Sequence, residues 1–149
     1  MIEYIRIDKN QIQRIKPLWS NLINYLYDKS KNFKNEFQNK VFENRFESFL
    51  NNKEEDCLIV VVVDTDRETD IGYIAAHIFE DSGEIDSLYV NEEIQSKGIG
   101  KTLMDKALDF FSSKGIKNQF LYVSEGNEEV INFYVKFGFV IRKYYLVRK

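Results

Sequence analysis

The segment 95–102 contains residues whose types and spacing are suited to chemistry. It reads Gln-Ser-Lys-Gly-Ile-Gly-Lys-Thr. It joins a predicted strand to a predicted helix, so several backbone N–H groups are left unpaired at the positive end of the helix dipole. Gly98 and Gly100 let the backbone approach a ligand closely, and phosphate groups favour such a junction. The segment alone therefore indicates either a phosphate-binding loop or a glycine-capped helix start with solvated lysines.

Two common nucleotide-binding motifs do not fit this segment. Gly100-Lys101-Thr102 matches the end of a P-loop, but Gln95 stands where that motif needs its first glycine. The dinucleotide fingerprint fails as well, because Leu103 occupies the position of its third glycine. A nucleotide hydrolase is therefore disfavoured.

Titratable side chains flank this segment on both sides. Glu84 and Asp86 lie two apart on a predicted strand, so both point to one face, either as candidate general bases or as a solvated strand start. Tyr134 lies on an apolar helical stripe and is either a core residue or a proton donor. His77, the one histidine, is interpreted as a packed or surface residue rather than a base, and Cys57 as a buried hydrophobe.

Apolar periodicity predicts the elements that position these residues. Strands are expected over 2–7, 57–63, 71–79, 84–90, 119–123 and 139–147, and helices over 10–27, 33–50, from 99 to Gly115, and over 128–137. Pro17 predicts a kink or restart inside the first helix. Short turns between the strands from 57 to 90 indicate antiparallel pairing. The sequence thus predicts one α/β domain over 1–149, with a mixed sheet whose antiparallel strands come first, flanked by helices.

Composition narrows the class of protein. The 149 residues are 44% hydrophobic and 30% charged, as in ordinary globular proteins, and the net charge of -3 with interspersed signs disfavours nucleic acid as a partner. A single cysteine excludes an intrachain disulfide and favours a cytoplasmic setting. The N-terminus lacks a secretion-signal pattern, and the longest apolar run, 57–63, is too short to span a bilayer, so no membrane partner is expected. No cluster has metal-ligand spacing, so no metal is predicted.

Three pieces of the sequence, in order, resemble the GNAT acyltransferase superfamily over roughly residues 57–147. Gln95-x-x-Gly98-x-Gly100 resembles its Q/R-x-x-G-x-G/A signature, and the strand 84–90 resembles its fourth strand. Residues 125–127 (Glu-Gly-Asn), 132–134 (Asn-Phe-Tyr) and 137–139 (Phe-Gly-Phe) resemble its second conserved block. The first 56 residues match in architecture only, and the chain offers little room for a full final hairpin after 139–147.

The resemblance implies direct transfer of an acetyl group from acetyl-CoA to a primary amine, without a metal. It implies Glu84 as the first choice of general base, Asp86 as the second, and Tyr134 as the acid that protonates the leaving thiolate beside the cofactor. The implied cofactor-binding residues are Leu88, Tyr89, Val90 and Asn127 for the pantetheine arm, and Gln95, Ser96, Lys97, Gly98, Ile99, Gly100, Lys101 and Thr102 for the pyrophosphate.

Other interpretations stay open at this point. A non-catalytic acyl-CoA-binding module of the same fold would share these motifs. The acceptor is expected to be a small-molecule or peptide amine, and small amines, polyamines, aminoglycosides, amino acids and protein N-termini all fit. A homodimer would be ordinary for the superfamily.

Overall fold

A five-stranded mixed sheet forms the centre of the computed structural model. The structure describes residues 1–94 and 98–149, and the side chains of residues 95–97 lie outside that description. The strands are β1 (Ile2–Ile7), β2 (Cys57–Asp64), β3 (Thr69–Phe79), β4 (Ser82–Val90) and β5 (Asn118–Leu121). They follow one another in sequence order across the sheet; the first four pair antiparallel, and β4 pairs parallel with β5. The predicted mixed α/β sheet is confirmed.

The helices are arranged on both faces of this sheet. Their bounds are α1 (Lys16–Lys29), α2 (Lys34–Gln38), α3 (Phe42–Arg45), α4 (Glu47–Leu50), α5 (Ile99–Ser113) and α6 (Ile131–Val135). Short 3-10 helices cover Lys9–Ile15, Glu54–Asp56, Glu92–Lys97 and Glu128–Val130. No described helix is both long enough and apolar enough to cross a membrane.

Two apolar clusters attach the helices to the sheet. On one face, Ile99, Leu103, Met104 and Ala107 of α5 are almost fully buried against the strands. On the other face, residues from the first half of the chain pack on Val61, Tyr73 and Ala75; they include Ile15, Trp19, Phe42, Phe46 and Phe49. Burial of this much apolar side-chain area is the main term that stabilises the two helical layers.

The N-terminal helical region differs in part from its prediction. Asp8 caps the 3-10 helix Lys9–Ile15 in a capping box with Gln11, and α1 starts afresh with Pro17 in its first turn, as the predicted restart requires. The single helix predicted over 33–50 is wrong, because three short helices stand there instead. Val41 is extended between α2 and α3, which turns Phe37 and Phe42 inward from separate helices.

The strand predicted over 139–147 is also wrong. After α6 the chain passes Gly138 at φ 93° and continues to residue 149 without regular structure. Its apolar side chains from Val140 onward are exposed, including Tyr145 at 90% and Leu146 at 91%. A strand requires a partner for its ladder of hydrogen bonds, and within the described ranges none lies beside this segment, so its apolar composition alone does not make it one.

Candidate active site

The gap between β4 and β5 is the feature that organises the site. The two strands pair only from Ser82 with Asn118 to Ile85 with Leu121, although β4 continues to Val90 along β3. Beyond Ile85 the strands diverge, and β5 therefore ends at Leu121 rather than at the predicted Val123. Because this divergence leaves the β5-facing backbone of residues 86–89 without a ladder partner among the described residues, it opens the sheet to a ligand that can supply hydrogen bonds.

A pocket of about 250 Å³ occupies this gap and reaches the helices on one side of the sheet. Its walls come from residues 84–88 of β4 and from residues 121–124 at and after the end of β5, and α1 covers it with Trp19, Leu22, Ile23 and Leu26. Phe37, Lys40 and Arg45 complete the same side, while Asn127, Val130 and Tyr134 line the side of α6. Two aromatic residues of the N-terminal helical region, Trp19 and Phe37, are buried in the core and also line the pocket.

A β-bulge at Asp86 shapes the floor of this pocket. Ser87 pairs with Ala75 and Ile85 with Ala76, so Asp86 is an extra residue in β4 without its own partner in β3. Bulges re-aim side chains next to functional sites. Here Glu84, Asp86 and Ser87 all line the pocket. The expected convergence of Glu84 and Asp86 is therefore observed, although the bulge modifies the strict alternation on which the expectation rested.

The Asp86 carboxylate is held in a buried polar network. Its Oδ2 lies 2.7 Å from His77 Nδ1, its Oδ1 lies 3.5 Å from Arg45 Nη1, and its side chain is only 1% exposed. Arg45 also donates through Nη2 to the Asp86 carbonyl oxygen at 2.6 Å. Both carboxylate oxygens therefore have charged or hydrogen-bonding partners inside the protein.

Glu84 is in a different environment from Asp86. It is half-buried, pairs across the sheet with His77, and has no hydrogen-bonding side chain among the described residues. Burial, and next the nearby Asp86 carboxylate, raise the pKa of Glu84 above its usual range. A carboxylate with a raised pKa in a pocket has the character of a general base.

Tyr134 enters the pocket from α6. Its ring packs near Phe133 and Phe139, with centroids 5.3 and 6.3 Å away, and burial raises the pKa of its phenol to about 12. The hydroxyl is paired with no described residue, and no described side-chain polar atom is both fully buried and unpaired. The hydroxyl is consequently accessible from the pocket.

Asn127 lies on the loop between β5 and α6 and lines the pocket, and its side chain makes no hydrogen bond to a described residue. On β4, Leu88 lines the pocket as well and packs with Val90 against the apolar cluster of the α5 face, whereas Tyr89 packs against the cluster on the opposite face. Asn127 and Leu88 thus line the pocket from different parts of the chain.

The glycine-containing segment begins α5. Gly98 is left-handed at φ 73°, which favours glycine, and the first turn of α5 has no side-chain cap from a described residue. A Cβ on Gly100 would come within 3.3 Å of the Phe133 ring, so this glycine also lets α6 approach closely. Ile99 is buried, Thr102 donates to the Gly98 carbonyl, and Lys101 pairs with Asp105 at 2.8 Å. The predicted contacts of Gln95, Ser96 and Lys97 lie outside the described residues.

One trio of potential metal ligands exists among the described residues. Atoms of His77, Glu84 and Asp86 all lie within 4.8 Å of one another. The hairpin between β3 and β4 brings them together. The Arg45 guanidinium against Asp86 adds a positive charge beside the trio, which opposes cation binding there.

The grouping of His77 and Arg45 around Asp86 was not predicted from the sequence. The interpretation of His77 as a packed residue holds, since it is 9% exposed and its ring lies 5.5 Å from that of Phe49. Counting residues outward from the turn at 80–81 would have placed it opposite Glu84. Arg45 is 41 positions from Asp86, and no sequence pattern indicates their contact. Cys57 is buried as expected, and burial raises the pKa of its thiol to about 11.

Comparison with known proteins identifies a matching family model and a curated relative. A model of the family described as "Acetyltransferase (GNAT) family" matches residues 21–139. A curated relative, spermidine N(1)-acetyltransferase of Thermoplasma acidophilum, is 38% identical over 71 residues, which are 48% of this chain and 44% of that relative. The chain therefore matches less than half the length of this relative.

Solved structures share the fold. A putative acetyltransferase from Pyrococcus furiosus superposes with a TM-score of 0.74 at 23% identity, covering 99% of each chain. The PaiA N-acetyltransferase from Thermoplasma acidophilum, in complex with coenzyme A, gives 0.71 at 23% identity, covering 95% of this chain and 91% of that one.

Proposed function

The chain belongs to the acetyltransferase (GNAT) family, and we propose that it transfers an acetyl group from acetyl-CoA to a primary amine in a ternary complex. One observation carries the proposal: where β4 and β5 stop pairing lies a pocket that is lined both by Glu84 of β4 and by Tyr134 of α6. These are the two groups that the reaction needs, a proton acceptor for the amine and a proton donor for the thiolate.

The proposed cofactor site uses the same gap. The thioester arm of acetyl-CoA would lie against the backbone of Leu88, Tyr89 and Val90, with the free amide of Asn127 on the other side. The pyrophosphate would accept N–H groups at the start of α5, a 15-residue helix whose first turn is uncapped by described side chains. The proposed donors are the backbone N–H groups from about Lys97 to Lys101, within the segment from Gln95 to Thr102.

The first chemical requirement is a neutral amine. An alkyl ammonium has a pKa of about 10.4, so its deprotonation at pH 7 costs about 4 to 5 kcal/mol. Glu84 takes this proton, and burial suits it to the task because its pKa is raised. Asp86 is a poorer base in this arrangement, since His77 and Arg45 already occupy its two oxygens.

The second requirement is a stable leaving group. As the amine nitrogen forms the C–N bond to the acetyl carbon, the C–S bond breaks and Tyr134 gives its phenolic proton to the thiolate. The remaining surplus proton on the nitrogen returns to Tyr134 through water, and the proton on Glu84 passes to solvent. The products are an amide, a free thiol and one proton. A backbone N–H near Leu88 or Tyr89 polarises the thioester carbonyl.

Polyamines are the first acceptors to examine. The curated relative is named for spermidine, and the pocket offers Glu84 to an ammonium group. Lys40 and Arg45 line the same pocket, however, and their charges limit how many ammonium groups it can hold. Amines with one buried ammonium and a flexible remainder therefore fit best.

The test is thiol release from acetyl-CoA with a panel containing spermidine, spermine, an aminoglycoside, amino acids and a short peptide. We expect at least one amine to accelerate thiol release, with the acetylated amine found by mass spectrometry. Calorimetry supplies the other arm. Binding of acetyl-CoA without turnover of any amine would favour the non-catalytic acyl-CoA-binding module, and absence of binding would overturn both proposals.

A further inference from the structure

The His77–Asp86 pair is the strongest polar feature that the proposed mechanism leaves unused. The imidazole Nδ1 lies 2.7 Å from Asp86 Oδ2, and the two side chains are 11% and 1% exposed. His77 is on β3, directly opposite Glu84 in the register of the sheet. A buried histidine paired with a buried carboxylate, one strand away from the proposed base, is well placed to influence that base.

Groups from every neighbouring element define the charge around this pair. Glu84 and Asp86 belong to β4, Arg45 to α3, and the neutral Cys57 thiol lies opposite His77 on β2. From α4 the contact is the ring of Phe49. The pocket beyond Glu84 adds Lys40 and Tyr134. The network therefore holds two carboxylates, one guanidinium and one imidazole that can carry a proton.

We propose that His77 is a positioning residue for acceptor deprotonation: it fixes the Asp86 carboxylate in the bulge of β4, so that Glu84 alone meets the acceptor amine. This inference rests on the proposed acetyl transfer and assigns His77 a role within it. Without the imidazole, only Arg45 would hold Asp86, at 3.5 Å, and the carboxylate could rotate toward the pocket. Two carboxylates would then compete for one ammonium group.

The charge on His77 gives this role a measurable signature. A protonated imidazole balances Asp86, which favours the ionised form of Glu84. The hydrogen bond to Asp86 raises the pKa of His77, so the imidazole keeps its proton to higher pH than a free histidine. Loss of that positive charge leaves only Arg45 to offset Asp86 and shifts the proton uptake of Glu84 to higher pH.

The experiment compares two His77 variants with a control. His77→Asn keeps an N–H donor near the Nδ1 position without a titrating charge, whereas His77→Leu keeps neither. Tyr73→Phe is the matched control, because it removes another buried hydrogen bond of β3, the 2.6 Å contact with Ser87, without touching Asp86. The readouts are kcat and both KM values against pH, with melting temperatures for each protein.

We expect His77→Asn to retain kcat within a few-fold while the acid limb of kcat/KM moves up by about half to one pH unit. His77→Leu is expected to lower kcat/KM for the acceptor about tenfold or more, with KM for acetyl-CoA unchanged. Tyr73→Phe should lower the melting temperature and leave the pH profile in place. If both His77 variants behave as this control does, the imidazole is only structural and the inference is wrong.

A second readout needs no acceptor. The chain has a single histidine, so its imidazole can be titrated by NMR without assignment of other residues. Glu84→Gln should lower the midpoint of this titration, because a neighbouring negative charge is removed; an unchanged midpoint contradicts the coupling.

Stoichiometric binding of Zn²⁺ or Mn²⁺ that His77→Asn abolishes would instead make the trio a metal site and overturn the proposal. A wild-type protein that acetylates no amine overturns the proposed function. An active wild type whose acid limb of kcat/KM is not moved by the His77 substitutions overturns this inference alone.

Discussion

The Ser30 hydroxyl donates to the Glu125 carboxylate across 2.7 Å, although 95 positions separate the two residues. Ser30 is the C-cap residue of α1 and is 2% exposed. The Glu125 carboxylate also accepts hydrogen bonds from the backbone N–H groups of Lys31 and Asn32, at 3.0 and 3.3 Å. These hydrogen bonds lower the pKa of Glu125. They fasten the loop that carries Asn127 to the end of the helix that covers the pocket, so the two walls of the site are held together at this point.

Gly126 makes this junction possible and provides the first prediction. It adopts φ 92°, and a Cβ there would overlap the backbone carbonyl group of Lys29. We expect Gly126→Ala to lower the free energy of unfolding by about 2 kcal/mol or more, because left-handed strain and a backbone clash add together. Gly138→Ala is the control: Gly138 has φ 93° with open space around it, so only the conformational cost remains. Urea unfolding measures both, and equal losses would contradict the role of the clash.

The phenol of Tyr134 is the subject of the second prediction. Tyr134→Phe should lower kcat about 100-fold, because the leaving thiolate loses its proton donor. The KM for acetyl-CoA should change little, since the ring keeps its packing against Phe133. The thiol-release assay is run beside Tyr144→Phe, which removes a hydroxyl from a side chain that is 81% exposed. A Tyr134→Phe enzyme with the kcat of this control would remove Tyr134 from the mechanism.

Glu84 provides the third prediction through the pH profile. Its pKa is raised by burial and by Asp86, and only its ionised form accepts a proton. Activity should therefore fall as the pH drops through this raised value, on the acid limb of kcat/KM. Glu84→Gln should lose about 100-fold or more in kcat/KM and the acid limb with it. Glu80→Gln, at an exposed turn position, should keep both. An acid limb that persists in Glu84→Gln would assign it to another group.

Periodicity predicted the sheet well, because its strands are defined by their own residues. Cys57 to Val62 is buried on both faces, and such a β-branched run has few alternatives. The segment 33–50 was harder. Its aromatic spacing matches a helix, yet three short helices satisfy the same burial of Phe42, Phe46 and Phe49. Local periodicity cannot distinguish one helix from several that turn the same side chains inward. The apolar segment 139–147 likewise does not contain its own strand partner.

The site residues likewise divide into those that a sequence motif predicted and those that only the tertiary fold brings together. Glu84, Asn127 and Tyr134 were identified through motifs that resemble a family, and the structure brings all three to one pocket. The bulge at Asp86 was not predictable, because it depends on the pairing of β4 with β3 rather than on either strand alone. Contact between Arg45 and Asp86 depends on how α3 docks on the sheet, a tertiary relation that no short pattern records.

The His77–Asp86 pair predicts a pH dependence of stability as well as of catalysis. The hydrogen bond raises the pKa of folded His77 above the value of about 6.5 in an unfolded chain. The resulting stabilisation is fully present below about pH 6.5 and is lost as the pH rises through the folded pKa. Melting temperatures of wild type and His77→Asn, measured from pH 5 to 9, should therefore differ most at the acid end and converge as the pH rises. Tyr73→Phe should differ from wild type by a constant amount over this range, because burial raises the pKa of that phenol beyond it. A His77→Asn difference that is equally constant would show that the imidazole gains no proton affinity from Asp86 on folding.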